Sequence, residues 1–273
     1  MATDARPASS PTTLDRVRAI LVLVAVPATL LGAALGSGLL GGGTAEGVGE
    51  GAFAANATPL APGGPAFSIW SVIYLGLALY GIWQVLPRNH ADTRQRRMGW
   101  LALASMVLNA AWIVASLMDA VALTVVIIVA LLLSLIAIFE VLRRVRPATL
   151  VETVVVDGTF GLYFGWVCVA TVANVAAWLA DMGLRIEEFA IPASIVLAVV
   201  AAIGVGVAIR GRGRIGPMLA IVWGVAWIAI ARATDEPASI AVAVVAAIVC
   251  VVVAATTIAV RVRGHRRPAR AIA

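Results

Sequence analysis

Long apolar runs alternate with short polar segments along the whole chain. The runs fall near 19–40, 66–86, 98–117, 121–142, 154–180, 189–209, 215–232 and 238–260. Each approaches or exceeds the roughly 20 residues that an α-helix needs to cross a hydrocarbon core. A soluble fold of 273 residues could not hide so much apolar surface. In lipid, the backbone N–H and C=O groups of such a segment must be paired within it. The pattern therefore predicts an all-α, polytopic transmembrane bundle of about eight helices.

The polar segments give the orientation. On one side of the predicted spans lie Arg6, Arg16 and Arg18, then Arg88, Arg94, Arg96 and Arg97, then Arg143, Arg144 and Arg146. Arg210, Arg212 and Arg214 follow on that side, and last come Arg261, Arg263, Arg266, Arg267 and Arg270. Of the 20 basic residues only Arg185 and Arg232 fall elsewhere. The opposite segments carry Glu46, Glu50, Asp119, Asp181, Glu187, Glu188, Asp235 and Glu236. Arginine in short loops marks the cytoplasmic side, so both termini are expected there. Adding or removing one span would invert every later loop and destroy the split.

Composition agrees with this picture and removes some alternatives. Hydrophobic residues make up 62% of the chain and charged ones 12%, against about 25% charged in soluble domains. A net charge of +6 would suggest nucleic acid in a soluble protein. Here the arginines sit between membrane spans, where they set topology and meet anionic lipid headgroups, so no nucleic-acid partner is expected. Cys168 and Cys250 lie inside apolar runs and read as core residues. His90 and His265 stand in arginine-containing segments with no metal-ligand spacing. No nucleophile has a paired histidine and no phosphate loop is present, so neither an enzyme nor a bound metal or cofactor is expected. Glu140 reads as the helical partner of Arg143 and Arg144. Glu152 and Asp157 read as hydrated carboxylates at the start of the fifth helix, with a proton relay as the sharper alternative.

The predicted organisation is a disordered cytoplasmic tail over 1–13, a five-helix bundle over 14–181, three further helices over 182–262 and a basic tail over 263–273. The first apolar run exceeds a signal-peptide core in length and is expected to stay as an uncleaved helix. Residues 41–65, rich in glycine and proline, predict a flexible outer loop. The pairs Gly32/Gly36 and Gly161/Gly165 allow close helix approach, within the chain or across a homodimer.

Candidate chemistry concentrates on three helix faces. Phe67, Trp70 and Tyr74 are spaced by three and four residues and share one face of the second helix. Asn109 and Trp112 do so on the third, and Tyr163, Trp166, Ala170 and Asn174 form a stripe on the fifth. Trp83, Trp100 and Trp178 stand near span ends and read as interfacial anchors. Asn109 and Asn174 are amides in hydrocarbon, where an unpaired polar group is costly. Interhelical hydrogen bonds would satisfy them. So would a ligand in a cavity roofed by 41–65.

The segments PAFSIWSVIYLGLALYGIWQ (65–84), LNAAW (108–112) and GLYFGWVCVATVANVAAWL (161–179) resemble the TspO/MBR family, the tryptophan-rich sensory or translocator proteins. Phe67, Trp70 and Tyr74 match that family's second helix, Asn109 and Trp112 its Asn-x-x-Trp element, and Trp166, Ala170 and Asn174 its fifth helix. The first loop departs from the family, offering Pro59, Pro62 and Pro65 without tryptophan. Leu162 stands where a proline is usual, and three helices, with Trp223 and Trp227, extend past the family's five. The resemblance implies a receptor in the bacterial plasma membrane for a tetrapyrrole (porphyrin-like) or sterol-like lipid ligand. The implied ligand-binding residues are Phe67, Trp70, Tyr74, Asn109, Trp112, Tyr163, Trp166 and Asn174. The alternative reading is a secondary transporter of a small metabolite, with Asp157 as its coupling group.

Overall fold

A computed structural model describes residues 10–36, 51–184 and 186–265. The expectations for the two terminal tails before 10 and after 265, for loop residues 41–50, for Arg185, for the His265 side chain and for the Gly32/Gly36 contacts fall outside what is described. Among the described residues all regular structure is helical. The long helices are α1 (Thr13–Gly36), α2 (Ile69–Gln84), α3 (Thr93–Leu117), α4 (Val121–Arg144), α5 (Thr159–Asp181), α6 (Ala190–Arg210), α7 (Ile215–Thr234) and α8 (Ile240–His265). One helix forms on each predicted run. The seven from α2 onward are long and apolar enough to cross a membrane, counting the turns leading into α2 and α5. The 24 residues of α1 carry no charge beyond Arg18.

Local chemistry sets where several helices begin. The Asp92 carboxylate accepts from the Gln95 backbone N–H at 2.9 Å and caps α3. Thr149 does the same for the turn Leu150–Glu152, accepting from Glu152 N–H at 3.1 Å. From that turn the chain passes through a π-helical segment, Thr153–Gly158, before α5 proper. Periodicity gives no warning of such a widened turn.

Helices α1 to α5 close into a ring in the order α1, α2, α5, α4, α3. Outside it, α7 packs along α5, and α8 packs against both α7 and α6. Gly161 and Gly165 make the α5–α7 contact possible. A Cβ at Gly161 would stand 3.2 Å from the Gly216 Cα, and one at Gly165 would meet the Pro217 backbone. This small-residue pair is therefore used within the chain.

The arginine-rich loops meet at one end of the bundle. There Asp15 pairs with Arg18 at 2.9 Å and Arg96 at 2.6 Å, and the Arg96 guanidinium holds the Asp15 carboxyl well below the usual carboxylate range. Arg94 bridges Glu152 at 2.7 Å and Asp157 at 2.6 Å, and Arg214 bonds Asp157 from the other side. Glu140 binds Arg143 at 2.7 Å, as its spacing predicts, and also Arg210 at 2.5 Å. Near the end of α8, Arg261 donates to the Gly213 carbonyl at 3.3 Å. The start of α1 and the end of α8 therefore lie at this end. Glu152 and Asp157 correct one expectation, since they are buried ion-pair partners and not hydrated helix-start carboxylates. Trp83 corrects another. It is only 8% exposed and belongs to the core, whereas Trp100, 41% exposed, fits the anchor role.

Candidate ligand chamber

The eight candidate residues converge in the ring, in the half remote from the arginine-rich end. Helix α2 brings Trp70 onto Tyr74 in a stacked pair, with centroids 5.1 Å apart and planes 16° apart. The Trp70 indole also meets Tyr163 edge-on at 5.8 Å and Trp166 at 6.2 Å, both from α5. Phe67, in the 3-10 turn Gly64–Ser68, stands edge-on to Trp166 at 5.9 Å. Edge-to-face and offset contacts of this kind suit the ring quadrupoles and fix each ring's plane.

The two asparagines tie the ring together. The Tyr74 hydroxyl donates to Asn109 Oδ1 at 3.1 Å. The Trp112 indole donates to Asn174 Oδ1 at 3.2 Å, and Asn174 Nδ2 donates to the Thr124 hydroxyl at 2.9 Å. Tyr163 donates its hydroxyl to the Ser105 carbonyl at 3.1 Å. Interhelical bonding therefore satisfies the Asn109 and Asn174 carbonyl oxygens, the first of the two alternatives open from sequence. Trp166 is different. It is 2% exposed, and its indole Nε1 has no hydrogen-bond partner.

Trp166 lies at the wall of a cavity of about 40 Å³ that Phe67, Trp112 and Asn174 also line. A few waters would fill it; drug-sized ligands occupy roughly 300–1,000 Å³. The roof is the segment 51–67, which places Ala52, Phe53, Thr58, Ala61 and Pro62 over the cavity. Phe53 packs on Trp112 with centroids 5.4 Å apart. This corrects the expectation of a flexible loop for the described half of 41–65. Residues 51–65 form tight turns in which Thr58, Leu60 and Ala61 are buried.

Helix α7 holds that roof from outside. Arg232, 0% exposed, donates to the carbonyls of Thr58 at 3.2 Å and Ala55 at 2.8 Å, and also to those of Pro237 and Glu236. The Trp227 carbonyl accepts from the Gly63 N–H at 3.2 Å, and the Trp223 indole donates to the Ala66 carbonyl at 2.8 Å. Gly63 lets the turn sit close on α7: a Cβ there would approach the Trp227 ring to 3.3 Å, so the ring would have to give by a few tenths of an ångström. Sequence reading missed Phe53, Thr124 and these α7 residues as parts of the site. Arg232 did leave a signal: it breaks the charge split, and an arginine on the wrong side of a membrane protein needs a local reason.

No curated protein and no solved structure matches the chain. The sequence profile described as TSPO-like protein matches residues 19–258, from α1 through most of α8. The match extends well past the five-helix segment that carries the sequence resemblance, so α6 to α8 fall within the family's pattern. On this coverage, the chain belongs to the TSPO-like protein family.

Proposed function

We propose that this membrane protein is a sensory receptor that binds a flat hydrophobic ligand of the tetrapyrrole or sterol-like class in the aromatic chamber between α2, α3 and α5. One observation carries the reading: Trp166 lines the cavity, and its indole N–H is buried and unpaired. An unmet buried donor costs about 1–3 kcal/mol, and an acceptor on a bound ligand relieves it. The surrounding rings offer faces to a planar molecule, and the asparagines hold those rings in place. At about 40 Å³ the cavity is far too small for such a ligand, so binding requires the roof to lift away from α7. The transport alternative is less well supported, because its coupling group Asp157 is held by both Arg94 and Arg214.

Titrating the purified full chain with protoporphyrin while following tryptophan fluorescence tests this. Trp166→Phe keeps an aromatic ring but deletes the donor, and is expected to weaken binding roughly three- to tenfold. Asn109→Ala frees the Tyr74 hydroxyl and is expected to weaken it as well. Unchanged affinity in both variants overturns the assignment of the chamber.

A further inference from the structure

Helix α5 borders a hollow on each of two faces. Ala170, Ala173, Asn174 and Ala177 line the small cavity of the chamber, whereas Val172, Val175, Ala176 and Leu179 line a larger hollow of about 750 Å³. The two sets are offset by about two residues, or about 200° around a helix of 3.6 residues per turn, and so lie on opposite faces. The position of α6 creates the larger hollow, because α6 packs along α8 and scarcely touches α5. Phe189, Pro192 and Val196 form its far wall, and the roof residues Asn56, Thr58 and Leu60 stand over it. Along α5 the lining runs from Ala180 to Thr171, about 13 Å at 1.5 Å per residue. That is close to the hydrocarbon depth of one leaflet, about half of 30 Å.

Among the described residues this lining includes no ionisable side chain. At its deep end the Thr171 hydroxyl donates to the Val167 carbonyl at 2.7 Å and asks for nothing more. Thr58, under the roof, differs: it is 4% exposed, and its hydroxyl has no hydrogen-bond partner. Asn56, two residues away, is exposed. The carboxylates nearest along the chain, Asp181, Glu187 and Glu188, are exposed on the α5–α6 connection, where water and salt screen them. A charged head drawn in beside Thr58 would lose water and gain no partner of opposite sign. A hydroxyl head loses little, since it can donate to Thr58 or accept from it.

We propose that the hollow between α5 and α6 binds an uncharged single-chain amphiphile of the monoacylglycerol class, its acyl chain along Val172, Val175 and Leu179 and its hydroxyl head at Thr58 and Asn56. The volume lies within the roughly 300–1,000 Å³ of small-molecule sites. Apolar walls of one-leaflet depth suit a chain, and the unmet hydroxyl at the roof gives the head its place. The bound molecule joins the ring to the C-terminal helices on the side where α5 and α6 do not. It occupies the opposite face of α5 from the aromatic chamber, so its binding holds whether or not the chamber takes a ligand.

The test is photolabelling of the full chain in phosphatidylcholine vesicles, without protoporphyrin, by a monoacylglycerol carrying a diazirine in its acyl chain. Peptide mass spectrometry should find the label on 171–180 of α5 and 189–196 of α6. Unlabelled monoacylglycerol should displace it at about fivefold lower concentration than a lysophosphatidylglycerol or an alkyltrimethylammonium of the same chain length. Thr58→Val keeps the side chain's shape and deletes the hydroxyl, and should weaken displacement about two- to tenfold. Val175→Trp fills the hollow from its lining and should abolish the label there. Ile195→Trp, at a 60% exposed position of α6 outside the lining, should leave it in place. Equal displacement by all three amphiphiles overturns the proposal, as does label spread evenly over the lipid-facing helices, since either is the behaviour of ordinary boundary lipid. Stronger displacement by the alkyltrimethylammonium also overturns it and assigns the hollow to cations drawn by Asp181, Glu187 and Glu188. Unchanged displacement in Thr58→Val overturns it even where Val175→Trp fails to fold.

Discussion

The five-helix ring and the three C-terminal helices share a solvent, a helix length and a degree of apolarity, yet their interiors differ in kind. The ring encloses Tyr74, Asn109, Trp112, Tyr163, Trp166 and Asn174. The core between α6, α7 and α8 is aliphatic: Leu197, Val200, Val225, Ile228, Ala246, Val249 and Val253. Helix packing in lipid can proceed on small aliphatic residues alone, as α6 to α8 show. The polar and aromatic content of the ring therefore exceeds what packing requires, which is why the proposed ligand site is placed there. The polar side chains of α7 that stand out, Arg232 and Trp223, point away from its own core and onto the roof of the ring. One region carries the proposed chamber; the other is hydrogen-bonded to its roof.

This contrast can be broken in graded steps. The largest effect is expected from Arg232→Met, which leaves the Thr58 and Ala55 carbonyls without their buried donor. Hydrogen bonds from a charged group contribute about 1.5–3 kcal/mol each, so the variant should lose about 3 kcal/mol of stability. Thermal unfolding in detergent measures this, and proteolysis within 51–67 should accelerate in parallel. Next comes Gly165→Ala, whose Cβ meets the Pro217 backbone. Overpacking of this kind costs about 1–3 kcal/mol, and cross-linking yield between α5 and α7 should fall with the melting temperature. If that contact tolerates a methyl group without loss, the two regions are not seated on each other as described.

These two sites also show what the sequence could and could not disclose. The number and direction of the helices are legible because charge is expelled from hydrocarbon, and the arginines then sort by side. The faces of α2, α3 and α5 are legible because spacings of three and four residues bring Phe67, Trp70 and Tyr74 into line. The partner of each amide is not, because Asn174 finds Thr124 on a different helix, and the pairing depends on how the helices are arranged around the ring. The roof is illegible for a different reason. Glycine and proline make a chain irregular, and only contacts from distant residues such as Trp227 decide whether an irregular chain is also loose. Trp83 shows the same limit, as position near a span end does not distinguish a ring facing lipid from one facing the core.

A smaller effect is expected from Asn174→Ala, which strands the Trp112 indole and leaves the Thr124 hydroxyl with only its bond to the Val121 carbonyl. Polar contacts between membrane helices contribute about 0.6 kcal/mol on average and up to about 1.7. The melting temperature should therefore shift by only a few degrees, while ligand affinity falls because Trp112 loses its fixed plane. A stability loss as large as that of Arg232→Met would mean that the amide network is chiefly structural.

The central claim, that ligand binds against Trp166 beneath a roof held by α7, is tested most directly by stopped-flow kinetics of protoporphyrin binding to wild type, Arg232→Met and Trp166→Phe. Loosening the roof should raise the association rate, whereas deleting the indole donor should raise the dissociation rate and leave association unchanged. An association rate in Arg232→Met equal to that of wild type would contradict the account, because ligand would then be reaching its site without lifting the roof.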